Sequence, residues 1–231
     1  MKPLVILYCL ILYVISCSVL AIEWTGTTLN GKNCDGNSQA FGPFDYKEVL
    51  ASKNTPLWET ARLWEINKIH YGKGLSTLSK SGVTKTSIKH IWKEFDYTLR
   101  AFPNHAQALY SMINIELSRI RLNQSQQIPS LTTPPECYLL RSISFRPKQT
   151  DSYLLFAIYA HKLKRYDLAK FYYLQALQIN PKNPEINYNY GLLLVDINNL
   201  PEAKKFAKIA YDAGYPLMGL KNKIDTLSKA N

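Results

Sequence analysis

The chain has 231 residues, 46% of them hydrophobic; it reads as one domain with ample apolar content for a core, which excludes a chain too polar to fold. Lysine and arginine number 28 against 17 acids, a formal net charge of +11. That surplus has two readings: an ordinary solvated surface, or a site for an anionic partner such as nucleic acid, acidic lipid or an acidic protein.

Residues 1–21 have the pattern of a targeting segment. Lys2 supplies a positive start, Leu4 to Leu20 is almost wholly apolar, and Val19-Leu20-Ala21 offers the cleavage site of a secretory signal peptide. Two alternatives stand beside cleavage. Val14-Ile15-Ser16-Cys17 resembles a bacterial lipobox, in which Cys17 is lipidated. The third is an uncut anchor, for which about seventeen apolar residues barely span a bilayer. All three place the rest of the chain outside the cytosol, periplasmic, secreted or held in the envelope. In an oxidising compartment Cys34 and Cys137 are an even pair, so a disulfide between them is expected, with two free thiols as the alternative. There is no CxxC pair to suggest a redox motif or a zinc site.

Glu23 to Asn54 is polar and carries Gly31, Gly36, Gly42 and Pro43; it reads as an irregular arm. Thr55-Pro56 opens a helix that runs to about Tyr71 and stops at Gly72-Lys73-Gly74. Leu75 to Lys85 reads as a Ser/Thr/Gly linker. Ile88, Ile91, Trp92, Phe95 and Leu99 at helical spacing predict a helix from Thr86 to Phe102, closed by Pro103. Another runs from about Ala106 to Arg121. A polar loop from Leu122 to Pro134 follows, then a short helix from Glu136 to Phe145 closed by Pro147.

From Thr150 to Pro216 the sequence repeats itself. Ala157 and Gly191, Ala169 and Ala203, and Ala176 and Ala210 are each 34 residues apart. Small residues in those slots at that period are the signature of a tetratricopeptide repeat, two antiparallel helices per unit. Large residues at Tyr153, Phe156 and Tyr173 fill the space between closely approaching backbones. The second row departs at Asn187, Leu194 and Ala207, and a pair of ordinary helical hairpins sharing a period by chance is the competing reading. Pro103 to Pro147 spans 44 residues and Pro147 to Pro181 spans 34, so the first unit carries about ten extra residues in its middle turn. The predicted fold is all-α, a right-handed superhelix of antiparallel helix pairs with an irregular N-terminal arm. Its parts are a leader at 1–21, an arm and helical cap at 22–84, and a repeat array at 85–217. The last two units are 150–183 and 184–217, and a lysine-rich capping helix occupies 218–231.

Several strings resemble a family of exported tetratricopeptide-repeat proteins of proteobacteria, mostly of unassigned function. They are Gly42-Pro43-Phe44-Asp45-Tyr46, Asp96 to His105, Glu136-Cys137-Tyr138, Phe145-Arg146-Pro147 and Ala213-Gly214-Tyr215-Pro216. In that family a Cys directly precedes the Gly-Pro-Phe-Asp-Tyr string; here that position is Phe41, and Cys34 lies seven residues earlier. The resemblance implies an envelope adaptor and names no ligand.

No catalytic constellation stands out. His70, His90, His105 and His161 are scattered, with no HExxH, phosphate loop or nucleophile elbow, and His105 after Asn104 marks a helix start. Asp45 and Glu48 form an acid pair or, on the blander reading, belong to a solvated arm. An enzyme, a cofactor and a metal are therefore not expected. The expected partner surface is the concave groove: Leu154, Ile158 and His161 in one unit, then Tyr188, Leu192 and Val195 in the next, unless some of these pack on the neighbouring unit. Only Asn189 fits the Lys/Asn pattern with which repeats of this class clamp a carboxylate, so no clamp is expected. An apolar, tyrosine-lined groove suits a peptide segment or a partner helix, with an envelope component as partner. The rival surface is basic, for anionic polymer or lipid head groups. It comprises Lys162, Lys164 and Arg165 at a helix turn, and Lys204, Lys205 and Lys208 on the last repeat helix. Nucleic acid is not expected.

Overall fold

The computed structural model describes residues 22–39, 41–51 and 63–230. The leader, with the lipobox alternative at Cys17, and the helix start at Thr55-Pro56 lie outside the described residues. In chain order the helices are α1 (Tyr46–Ala51), a π-helical turn (Ile66–Tyr71) running into α2 (Gly72–Ser81), α3 (Ile88–Ala101), α4 (Ala106–Gln126) and α5 (Pro135–Phe145). Then come α6 (Thr150–Lys162), α7 (Tyr166–Ile179), α8 (Pro184–Asp196), α9 (Leu200–Asp212) and α10 (Gly219–Ala230). The first helix of each pair, α4, α6, α8 and α10, packs on its counterpart in the next pair, and α5, α7 and α9 pack back against them. The fold is that of a tetratricopeptide-repeat solenoid.

The period of 34 is visible in the backbone itself. Lys164 and Asn198 both take positive φ, 59° and 61°. Around each the same two hydrogen bonds close the helix: Lys164 and Arg165 N–H donate to His161 and Ala160, and Asn198 and Asn199 N–H donate to Val195 and Leu194. This is the left-handed helix end in which orphan carbonyls are satisfied by the following turn. The other helix ends also agree. Phe102, Arg146 and Asn180 leave the helix with ψ of 81°, 76° and 85°, each just before a proline that forbids α geometry at the preceding residue. Asn187, which breaks the aromatic slot held by Tyr153, does the same work by other chemistry. Tyr153 hydroxyl donates to Pro147 carbonyl at 3.0 Å, and Asn187 Nδ2 donates to Pro181 carbonyl at 2.9 Å.

Small residues set the spacing. Ala157, Ala169, Ala176, Ala203 and Ala210 are fully buried among Leu154, Tyr173, Ile186, Tyr190 and Leu193. A Cβ on Gly191 would meet Leu220 Cδ2 at 2.5 Å, so the α8 backbone touches α10 directly there.

Four expectations fail, among them the linker expected from Leu75 to Lys85, which is helical as far as Ser81. Gly72-Lys73-Gly74 does not stop a helix: the chain passes through into α2, and Gly82, at φ 60°, is the stop. Gly74 is buried against α3, where a Cβ would lie 3.1 Å from Phe95 Cζ, so the glycine serves packing rather than termination. Nor is Asp45 part of a solvated arm. It is 4% exposed, caps α1 by accepting from Lys47 and Glu48 N–H, and pairs with Arg146 and Asn104. The helix from Ala106 also runs five residues beyond Arg121, to Gln126, and shortens the loop.

The arm is held by a disulfide joining Cys34 to Cys137, a closure 103 residues long. Buried Arg141 donates to the carbonyls of Ile22 and Leu99 and to Gln39, and Asp96 takes bonds from Tyr138, Arg100 and Asn37.

His105 caps α4. Its Nδ1 accepts from Ala108 N–H at 3.3 Å, and its Nε2 donates to Asn67 Oδ1 at 2.8 Å, a pattern that needs the neutral imidazole. Burial pushes its pKa down to about 4. As pH falls from the ordinary histidine value of about 6.5, the unfolded chain takes a proton that the folded chain refuses until about pH 4. Stability should therefore drop by roughly 3 kcal/mol across that window and then level off. His161, also lowered, adds in the same direction. Asp45 and Glu94, held low by their partners, lose their contributions at more acid pH. Chemical denaturation at pH 7 and pH 5 should show a larger loss in the native protein than in His105→Asn, which keeps a capping acceptor without the titration.

Candidate functional site

The groove residues divide. Leu154, Tyr188 and Val195 belong to the core: they are 7%, 7% and 4% exposed. Tyr188 packs on Tyr215, with ring centroids 4.5 Å apart, and its hydroxyl lies where a Cβ on Gly219 would be, at 2.7 Å. The capping helix α10 covers this part of the array, so the tyrosine seals a junction instead of lining a free surface. Ile158, His161, Asn189 and Leu192 remain half-buried and share a cavity of about 240 Å³ between α6, α8 and α10.

Charge organises that cavity. His161 Nε2 meets Asp196 Oδ2 at 3.0 Å, and Lys223 Nζ donates to Asp196 Oδ1 at 2.8 Å. One carboxylate thus ties together the ends of α6, α8 and α10. Burial pushes His161 below its ordinary pKa, although Asp196 pulls the other way. Burial alone would raise Asp196, but Lys223 and His161 outweigh it and hold it low. Lys162 and Lys164 complete the rim, and Tyr173 stands in the wall. Its hydroxyl has no hydrogen-bond partner among the described residues, and burial pushes the phenol up.

The basic residues do not form one surface. Lys162 and Lys164 line the cavity beside His161, while Arg165 lines a different cavity next to the N-terminal arm. Lys204 and Lys208 rim an apolar groove between α9 and α10, floored by Ala207, Met218 and Ile224. Lys205 and Lys208 are paired with Glu202 and Asp212, each at 2.5 Å. Exposed pairs of this kind contribute little to stability but reduce the local positive field.

Lys223, Asp196 and Tyr173 are site residues that the sequence reading left out. The period would have found the first two. Lys223 lies 34 residues after Asn189, and Asp196 lies 34 after Lys162, so each occupies an existing slot. Extending the repeat into the capping helix supplies the missing row.

Residues 160–210 match the family model described as tetratricopeptide repeat. A solved structure titled "MamA RS-1 ArsTM double mutant" is similar at 17% identity and a TM-score of 0.42, over 74% of this chain and 84% of that one. No curated protein sequence matches. The helical hairpins of residues 160–210 are thus of the tetratricopeptide type.

The division of the groove has a measurable consequence. Tyr188→Ala should cost about 3 kcal/mol, as large-to-small core changes do, and should free α10 to proteolysis. Leu192→Ala, on the half-open face, should cost about 1 kcal/mol or less. Denaturant unfolding and limited proteolysis of the two variants check both.

Proposed function

We propose that this protein is an exported adaptor that holds a segment of another envelope protein against the face formed by α6, α8 and α10. The supporting observation is the cavity there. Apolar Ile158 and Leu192 stand beside Lys162, Lys164 and Lys223, with one buried hydroxyl left unpaired on Tyr173. Such a wall suits a partner segment that sets acidic side chains next to apolar ones, since apolar contact supplies affinity and charge complementarity supplies selection. Tetratricopeptide-repeat proteins are generally scaffolds rather than enzymes, and the same reading applies here. The envelope assignment rests on the apolar leader and on the Cys34–Cys137 bond, a linkage that persists in oxidising compartments.

The test is crosslinking in intact producing cells, followed by affinity capture of the tagged protein and mass spectrometry. The control carries Leu192→Ala and Asn189→Ala, both on the half-open face, and not Tyr188→Ala, which damages the core. An envelope protein captured by the native chain and lost in the folded control is the expected result. Identical capture by both, or none by either, rejects the groove.

Export is checked separately by fractionation and intact mass. The expected product sits in the envelope fraction, either begins after the leader or carries lipid at Cys17, and has no free thiol at Cys34 or Cys137. A cytoplasmic protein with its leader intact and both thiols free rejects the assignment.

A further inference from the structure

The groove between α9 and α10 is an interruption of the repeat. Its volume is about 400 Å³, and Ala207, Met218 and Ile224 form the floor. One period of 34 earlier, the slots of Ala207 and Ile224 are filled by large rings. Tyr173 stands in the slot of Ala207 and Tyr190 in that of Ile224, with ring centroids 5.7 Å apart. Phe206 of α9 then closes over Tyr190 edge-on, at 4.7 Å. In the next pair the ring at 207 has become a methyl group, and among the described residues no helix lies on α10 as α9 lies on α8. The groove is thus the seat of a second helix, left open, with room for a bulky side chain.

The seat is apolar at the bottom and basic at the edge. Met218 is 47% exposed and its neighbour Leu217 is 55% exposed. Lys204, Lys208 and Lys221 form the rim, and the lining holds no acid. Asp212 and Asp225 lie outside it; Asp212 pairs with Lys208 at 2.5 Å, while Lys204 and Lys221 pair with no carboxylate among the described residues. Ala207 and Ile224 are 7% and 6% exposed, so only a side chain that enters the groove reaches them. A flat bilayer surface would touch Leu217 and Met218 and leave the floor empty. A second copy of this chain would bring a net charge of +11 to a rim that is already positive.

We propose that this groove docks an amphipathic helix of another protein, seated on α10 as α9 is seated on α8. The docked helix sets a large apolar side chain, Phe or Leu, over Ala207 and Ile224, and acidic side chains opposite Lys204 and Lys221. Helix-in-groove recognition of this kind takes affinity from the anchor and selection from the charged rim. The surface is separate from the cavity beside His161, and its occupation does not depend on what binds there.

The probe is a synthetic helix of about fourteen residues, the length of α7, with Phe and Leu at every third and fourth position and Glu elsewhere. Two matched peptides carry Lys in place of Glu, or Ala in place of Phe and Leu. Fluorescence anisotropy with the disulfide-intact protein reads binding. The acidic amphipathic peptide binds below about 1 mM and the other two do not. Lys204→Glu with Lys221→Glu, both exposed, weakens it by about tenfold or more. Ala207→Tyr restores the ring found at 173, fills the groove and gives the same loss, so the result does not hang on one variant. Lys162→Glu with Lys164→Glu, beside His161, leaves binding unchanged. Equal binding of the basic or the alanine peptide, or no binding up to about 1 mM, overturns the proposal. So does a loss confined to the Lys162/Lys164 variant, which puts the peptide on the other face. Phosphatidylglycerol vesicles that bind the native protein, fail to bind the Lys204/Lys221 variant and are not displaced by the peptide would assign the surface to a membrane instead. A dimer in sedimentation that the same variant dissociates would assign it to a second copy.

Discussion

Everything downstream of Thr150 depends on how closely two helix backbones can approach at a few small side chains. Ala157, Ala169 and Ala176, and their counterparts Gly191, Ala203 and Ala210, are buried wherever one helix crosses another. A larger side chain at any of them would push a helix outward, and because each pair is the platform for the next, the displacement would travel along the stack. The large residues answer to that constraint. Tyr173 is buried in one cluster with Ala157 and Ala169, and Leu220 reaches α8 only because residue 191 has no side chain. The positions of His161, Asp196 and Lys223 relative to one another are a consequence. They meet because the first helices of successive pairs, α6, α8 and α10, are held at that spacing, with the same turn conformation at Lys164 and Asn198.

The N-terminal arm answers to a different constraint. Beside an apolar cluster in which Phe41, Phe44, Tyr46 and Val49 pack with Ala101 and Phe102, it is fixed by specific polar contacts and one covalent bond. Asp45, Asp96 and Arg141 are almost fully buried, and each is matched: Asp45 by Arg146, Asn104 and Gln149, Asp96 by Tyr138 and Arg100, Arg141 by main-chain carbonyls and Gln39. Buried charge of this kind is weak evidence for stability, since desolvation offsets most of the attraction. It is better evidence for register, because only one seating of the arm on α3 and α5 satisfies all these groups together. Closing a loop of 103 residues by Cys34–Cys137 then lowers the entropy of the unfolded chain, a contribution of up to about 4–5 kcal/mol in the chain-entropy account.

The same contrast explains what could be read from the sequence. The repeat was legible because it rests on a few small residues at fixed spacing, a pattern that survives when Tyr153 gives way to Asn187. The helix ends before Pro103, Pro147 and Pro181 were legible for the similar reason that proline acts locally. What depended on partners far along the chain was not. Gly72 and Gly74 read as a stop, because nothing local says that Phe95 will lie against Gly74. Asp45 read as a solvated carboxylate, because its main ion-pair partner, Arg146, is 101 residues away. Tyr188 read as a groove residue because the helix that covers it belongs to the capping segment, which had been set apart from the repeat. The burial of Glu136 had no sequence signal at all: glutamate in a first helical turn is ordinary, and only packing against the arm covers it.

The net positive charge of the chain is therefore a poor guide to what its surfaces select. The basic surplus sits outside, on exposed lysines, several of them paired with neighbouring acids on the same helix. The linings of the two cavities differ in charge balance. Beside His161, Lys162, Lys164 and Lys223 surround a single carboxylate. Beneath the arm, Lys32, Arg119 and Arg165 face Asp35, Glu116 and Glu136, with Arg119 bonded to Glu116. Local dielectric decides which of these charges matters, since an exposed lysine is screened within about 10 Å at ordinary salt while a buried carboxylate keeps its field. The lining beside α6, α8 and α10 is thus net positive, while that beneath the arm is even.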